Sequence, residues 1–222
     1  MMYLPQTTSI ITNWGTSSTT IGTVTTPAPA NTNLQTSLRR TRFATAAVAG
    51  LSTGIRGTEL VCWRGNAAGL GGFFFSCIFS MSTNLANVRA FVGLQNSTAA
   101  MTNVDPSGLT NIVGMSLDSA DANWQIITND NTAAATKADL GASFVKNTTD
   151  VYRLLLFSEP NPGATIGYSV TNMSSGIVST GSLAANLPQN TVFLAPYIWI
   201  TNNAVASAAQ IEMGHLYIES DT

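Results

Sequence analysis

The stretch GGFFFSCIFSM, from Gly71 to Met81, places four phenylalanines within seven residues directly behind a pair of glycines. In a β-strand, successive side chains point to opposite faces, so alternate residues share a face. One face of this run is entirely apolar: Phe73, Phe75, Cys77 and Phe79. The other is mixed: Phe74, Ser76, Ile78 and Ser80. The alternation predicts a central core strand, and the preceding glycines predict the turn that leads into it.

Short apolar runs with the same β character recur from about residue 36 onward, bounded by Gly, Pro, Asn and Asp. In TIGYSVTN, for example, Ile166, Tyr168 and Val170 share one face, and TELVCWR (58–64) reads as another strand. The spacing predicts an all-β fold, an antiparallel two-sheet sandwich of about ten to twelve strands. Two patches, ATAAVAG (44–50) and TAAATKADLG (132–141), read instead as short pieces of helix.

Residues 1–35 differ in composition from the rest of the chain. They are rich in Thr and Ser, contain the Pro-rich unit PAPAN (27–31) and carry no charged side chain. Proline and threonine favour extended backbone, so this segment is expected to be an extended stem or linker. Residues 36–222 are then expected to form the sandwich domain.

The surface is unusually poor in charge. Charged residues make up 9% of the chain and the net charge is −2, whereas a soluble domain typically has about 25% charged residues. Ser, Thr and Asn, about a third of the chain, supply the polarity instead. Such a surface suits contact with sister chains or with neutral, hydroxyl-rich partners. The one basic group, RRTRF (39–43), is too short for nucleic-acid binding, and no apolar run is long enough for membrane insertion.

Groups for catalysis are scarce. The chain has a single histidine, His215, which reads as a residue on the face of a strand, and it has no metal-binding or nucleophile motif. We therefore expect no enzyme activity, no cofactor and no metal, with Cys62 and Cys77 as reduced, buried thiols. The alternative is a polysaccharide depolymerase in which Asp118 and Asp121 supply the two carboxylates that glycoside cleavage requires.

Two polar stretches are candidates for carbohydrate binding. In DANW, Asp121 and Asn123 offer hydrogen-bonding groups beside Trp124, whose ring could stack on a sugar. Asn202 and Asn203 follow the apolar run YIWIT directly. Both stretches read equally well as ordinary turns without a ligand.

Several ordered segments carry a family resemblance: RRTRFATAAVAG, WRGNAAGLGGFFFSCIFSM, RAFVGLQNSTAAMTNVDPSGLTNIVGMSLDSADANWQI and LPQNTVFLAPYIWITNN. From about Arg39 to Glu219 the chain resembles the C-terminal region of tail-fibre and tail-spike proteins of tailed bacteriophages. The resemblance implies a jelly-roll or lectin-like sandwich that assembles as a homotrimer on the virion, is made in the host cytoplasm and contacts other tail proteins.

The expected function is non-enzymatic binding of a glycan or protein receptor on the host surface, from a fibre tip. A purely structural role, in trimerisation or capsid decoration, is the main alternative, and the depolymerase is the second. No residue that contacts a receptor can be carried over, because the family offers no fixed binding motif that matches this chain.

Overall fold

A computed structural model describes residues 18–84, 86–132, 134–160 and 165–220, with side chains from residue 21 onward. Fourteen strands and three short helical segments follow one another along these residues. The strands are β1 (Ser18–Ile21), β2 (Thr23–Thr25), β3 (Thr41–Ala44), β4 (Ser52–Gly57), β5 (Phe73–Met81), β6 (Arg89–Gln95), β7 (Ile112–Leu117), β8 (Gln125–Asn129), β9 (Thr136–Asp139), β10 (Val151–Ser158), β11 (Ile166–Asn172), β12 (Ile177–Leu183), β13 (Ala195–Thr201) and β14 (Gln210–Ser220). Helix α1 spans Leu34–Ser37, and two 3-10 turns span Pro106–Gly108 and Ala142–Phe144.

The strands form two antiparallel sheets of seven, each named here after its central strand. The β6 sheet has the order β1-β4-β13-β6-β7-β8-β9, and the β5 sheet has the order β12-β11-β10-β5-β14-β3-β2. This architecture confirms the predicted all-β, two-sheet sandwich. Its strands outnumber the ten to twelve expected, partly because β1 and β2 lie in the segment predicted as a stem.

Strand β5 lies at the centre of the core, as its alternation predicts. Phe73, Phe75, Cys77 and Phe79 all belong to the buried cluster between the sheets. Burial of a phenylalanine contributes about 1.5–3 kcal/mol, so this strand supplies a large part of the core. The two cysteines are also buried and unbonded, as predicted, and burial raises the pKa of the Cys62 thiol to about 12.

The domain boundary expected at residue 35 is not where the sandwich begins. Strand β1 pairs with β4 in one sheet and β2 pairs with β3 in the other, so residues 18–25 contribute to both sheets. Threonines favour extended backbone, and here that extension is used for pairing along the free edges of the sheets. Residues 1–17 of the predicted stem lie outside the described residues.

The structure differs from three of the secondary-structure elements that local sequence patterns predict. The patch at 132–141, expected to be helical, contains β9, which pairs with β8 because that edge offers unpaired backbone groups. Residues 44–50 end β3 and then form a loop rather than a helix. The run TELVCWR follows β4 and pairs only through an isolated bridge from Cys62 to Leu194.

A buried carboxylate in β14 forms ion pairs with two arginines, one just before β3 and one within it. Glu212 of β14 is 1% exposed and accepts hydrogen bonds from Arg40 Nε at 2.6 Å and Arg42 Nε at 2.7 Å. Arg40 Nη1 also donates to the carbonyls of Thr36 and Leu38, which tie α1 to this cluster. The charge is therefore fully paired inside the protein.

The outward faces of the two sheets differ. Segment 96–111 folds over the β6 sheet, and its Met101 and Leu109 pack with Phe91, Tyr197 and Trp199 in a second apolar cluster. On the β5 sheet, α1 and Arg40 cover the end near Glu212. Beyond that end, the outward side chains of β5, β10, β11 and β14 are partly or fully exposed among the described residues, except that of Ser76, which is buried.

We predict that Glu212→Ala lowers the free energy of unfolding by about 3–5 kcal/mol, because Arg40 is left as a buried charge without its carboxylate. Chemical denaturation followed by tryptophan fluorescence measures the change. Glu59→Ala, at an exposed carboxylate, is the matched control and should change stability by less than about 0.5 kcal/mol. Equal effects of the two substitutions would contradict the role assigned to Glu212.

Candidate functional site

Asp121 lies at one end of the β6 sheet, in an internal ion-pair cluster. Lys137 Nζ donates to Asp121 Oδ2 at 2.6 Å and to Asp118 Oδ2 at 2.8 Å. Asp121 Oδ2 also accepts from the backbone N–H of Asp118 at 2.8 Å. Burial alone would lower the pKa of Lys137, but the two carboxylates outweigh it and raise this pKa above its ordinary value. The ammonium thus holds together the two carboxylates proposed for a depolymerase.

Trp124 is not available to stack on a sugar. Its side chain is fully buried and lies against Phe79, at a centroid distance of 5.2 Å, and against Tyr152 at 5.9 Å. The expectation that this ring contacts a ligand is corrected, because strand β8 begins at the next residue and the ring turns into the core. Trp199 is likewise buried, as its apolar run predicts.

The three asparagines hold loops together. Asn202 is fully buried; its Nδ2 donates to the carbonyls of Val48 and Ser207, and its Oδ1 accepts from Leu51 N–H, so its polar atoms are used inside the protein. Asn203 is half-buried with φ at +50° and donates to the carbonyl of Asn87. Asn123 is half-buried and donates to Asp139 Oδ2 at 3.2 Å. The structure therefore corrects the prediction that Asn202 contacts a ligand.

The two predicted stretches do lie at the same end of the β6 sheet. A polar chain links them: Thr201 hydrogen-bonds Asn103, which accepts from Arg89 Nη1, and Arg89 Nε pairs with Asp105 at 2.7 Å. Asp105 in turn accepts from Ser119 N–H, two residues before Asp121. Hydrogen bonds from Ser119 and Arg89 outweigh the opposing effect of burial and keep the pKa of Asp105 below its ordinary value. The polar side chains at this end of the sheet therefore hydrogen-bond to one another.

The candidate site for a ligand is the outer face of the β5 sheet, here called the open face. It consists of the outward residues of four adjacent strands: Phe74, Ser76 and Ile78 of β5; Arg153, Leu155 and Phe157 of β10; Gly167, Ser169 and Thr171 of β11; and His215, Tyr217 and Glu219 of β14. A bulge in β14 between Met213 and His215 shifts the pairing register by one residue. The residues of β14 that point outward after the bulge therefore lie opposite outward residues of β5.

Phe157 forms an aromatic platform on the open face. It lies directly opposite Gly167, and its ring occupies the space that a side chain at position 167 would fill: three of its carbons lie 2.1–2.8 Å from where a Cβ would stand. One side of the ring therefore rests on the β11 backbone. The side chain is 46% exposed, so the other side of the ring is open to solvent.

A second aromatic position lies on the neighbouring strands. Phe74 is directly opposite Phe157 and meets Tyr217 edge to face at a centroid distance of 6.0 Å. The Tyr217 hydroxyl donates to Glu219 Oε2 at 3.0 Å, and this carboxylate raises the pKa of the phenol. The pair offers ring surface with polar oxygens at its edge, a combination suited to a ligand with an apolar face and hydroxyl groups.

Arg153 and His215 lie on the same face, on either side of Ile78 in the strand register. Arg153 is exposed, and partial burial lowers the pKa of His215 below its ordinary value. His215 is thus a residue on a strand face, as predicted. The face combines rings, hydroxyls, one guanidinium and one carboxylate.

Sequence reasoning missed Phe157, Gly167 and Tyr217 as a group. The phenylalanine and the glycine are ten positions apart, and only the register of β10 against β11 brings them together. A period-2 reading does place Phe157 on the face opposite Leu154 and Leu156, which is the one signal available for its exposure.

Neither a metal centre nor a membrane helix is found in the part of the chain that the structure describes. Within those residues no three His, Cys, Asp or Glu side chains are arranged to hold an ion. Among the same residues, no helix has the length and hydropathy to cross a bilayer.

No family model matches the chain, and no curated protein matches it. Solved structures do match in fold. The seed lectin of Lotus tetragonolobus has a TM-score of 0.55 at 10% identity, covering 95% of this chain and 94% of the lectin. Peanut lectin, solved with a nine-residue peptide, has 0.54 at 11%, covering 93% and 97%. A carbohydrate esterase from the Shiga toxin-encoding bacteriophage phi24B has 0.50 at 14%, covering 94% and 91%. The chain thus has a lectin-like sandwich fold.

We predict that Lys137→Ala lowers the free energy of unfolding by about 1–2 kcal/mol, because Asp118 and Asp121 lose the cation that joins them. Thermal unfolding measures the change, with Lys146→Ala as the control, because Lys146 makes no salt bridge within the described residues and interacts with Asp121 only at longer range. If the ion pair is structural, the substitution leaves ligand binding intact, whereas a loss of binding without a loss of stability would return these carboxylates to the functional site.

Proposed function

We propose that this chain is the host-recognition tip of a phage tail fibre or tail spike and binds surface glycans through its open face. The observation that carries the proposal is the Phe157 ring, which rests on Gly167 with its outer side exposed. A sugar ring has an apolar face of similar size to a phenyl ring, and stacking the two removes both from water.

The polar groups around the rings favour a glycan over a protein partner. Ser169, Thr171, the Tyr217 hydroxyl and the Glu219 carboxylate lie beside the apolar residues of the face, so hydrogen-bonding groups flank the rings. The cores of stable protein interfaces are more apolar than this. Neutral sugars also need no net charge in the protein, which fits a chain with 9% charged residues.

The proposed role is binding without cleavage. Asp118 and Asp121 both bind the Lys137 ammonium at the end of the other sheet, so they are held together by one cation rather than set on opposite sides of a cleft as an acid and a nucleophile must be. We place the activity of this chain in recognition, although the fold is shared with an enzyme, the phage esterase.

The proposed assembly is a homotrimer on the virion, as the resemblance implies. Three equal sites on one tip, and several tips on one particle, raise the effective concentration at the cell surface. Weak single-site binding then suffices for attachment.

We predict that a fluorescent-protein fusion of the full chain labels cells of a susceptible host, and that Phe157→Ala reduces labelling by at least about tenfold, because each loss of affinity is multiplied across the sites. Flow cytometry over a panel of bacterial strains measures it, and treatment of the cells with periodate, which destroys sugars, should abolish labelling.

Phe193→Ala is the matched control. Phe193 is similarly exposed at 39%, but it stacks on Trp63 at 5.0 Å and lies outside the open face, so labelling should persist. Labelling that survives Phe157→Ala and periodate would overturn the proposal. Sedimentation at micromolar concentration checks the assembly, and a stable monomer would contradict the trimer.

A further inference from the structure

The open face carries two stacking positions that a single sugar cannot occupy together. The Phe157 ring lies over β11, whereas Phe74 and Tyr217 meet between β5 and β14. Neighbouring strands are about 4.8 Å apart, so the two positions are separated by two to three strand spacings, about 10–14 Å. A ligand that covers both must contain several linked sugars and run across the strands.

That path across the strands is open at both ends. In register, it passes from Ser182 of β12 over Gly167 and Phe157 to Phe74 and Glu219. Ser182 and Glu219 at its ends are both exposed, and β3 pairs with β14 only at Gln210–Met213, far from Glu219. Among the described residues, no strand of the sheet therefore stands beyond Glu219 to close the path.

The path along the strands, by contrast, is obstructed at one end. Near Ser80 and Glu212 the sheet is covered by α1, from which Gln35 Nε2 donates to Ser80 Oγ and to the Met81 carbonyl. A long ligand laid parallel to β5 would meet this cover. The direction across the strands is the one that accommodates a polymer.

We infer that the open face binds an internal segment of an unbranched polysaccharide, laid across the strands, rather than the terminal sugar of a branched glycan. This inference rests on the proposed function and specifies its ligand class. Stacking at the two aromatic positions supplies affinity, and the hydroxyl of Ser182, the phenol of Tyr217 and the carboxylate of Glu219 supply hydrogen-bond partners along the path.

The test uses the full chain and the surface polysaccharide of a strain that the fusion labels, partly hydrolysed and separated into fractions of one to eight sugars. Isothermal titration calorimetry measures affinity for each fraction. We expect affinity per site to rise by about 2- to 10-fold once a fraction is long enough to reach the second stacking position. Further length should add little.

Substitutions identify the two positions. Phe157→Ala and Tyr217→Ala should each remove the increase with length while leaving the weaker affinity for short fractions. Phe157→Tyr retains a ring over Gly167 and should retain the increase, which separates loss of the platform from loss of folding. Thermal unfolding of each variant confirms that it is folded.

The outcomes distinguish this inference from the function on which it rests. Equal affinity for a single sugar and for the longest fraction overturns the inference and leaves glycan binding in place. A length dependence that Phe157→Ala does not alter also overturns it. If no strain is labelled at all, the proposed function fails, and this inference fails with it.

Discussion

Strand β5 pairs along its nine residues with β14 and along eight of them with β10, and these contacts fix which side chains face in and which face out. Because side chains alternate with a period of two, a shift of one residue would exchange the two faces. The apolar set of Phe73, Phe75, Cys77 and Phe79 prevents such a shift. The register that buries the core is thus also the one that brings Phe74 beside Phe157 at the surface.

The chain covers the two outer faces of the sandwich to different extents. Segment 96–111 covers the β6 sheet, where the Tyr197 hydroxyl donates to the Ala99 carbonyl and Trp199 is buried. Among the described residues, the β5 sheet is covered by α1 at one end, where Arg40 joins the helix to Glu212. The rest of its outer face is the uncovered area that the proposed extended ligand needs.

The sequence was sufficient for the fold class and for the inward face of β5, because both follow from local alternation. It was insufficient for Trp124, whose polar neighbours suggested a surface loop while its ring packs against Phe79 and Tyr152 from distant strands. It also misread residues 132–141, where pairing with β8 outweighs the helix preference of alanine. The platform of Phe157 on Gly167 depends on strand register, which single-sequence patterns do not contain.

Gly167 sets the orientation of the ring that the open face presents. Any side chain there would place its Cβ within 2.1–2.8 Å of the Phe157 ring, so the ring would have to tilt away from the sheet. The substituted residue would lie beneath the ring, and the plane of the exposed ring would change. One codon could therefore alter the aromatic surface of the open face without replacing the phenylalanine itself.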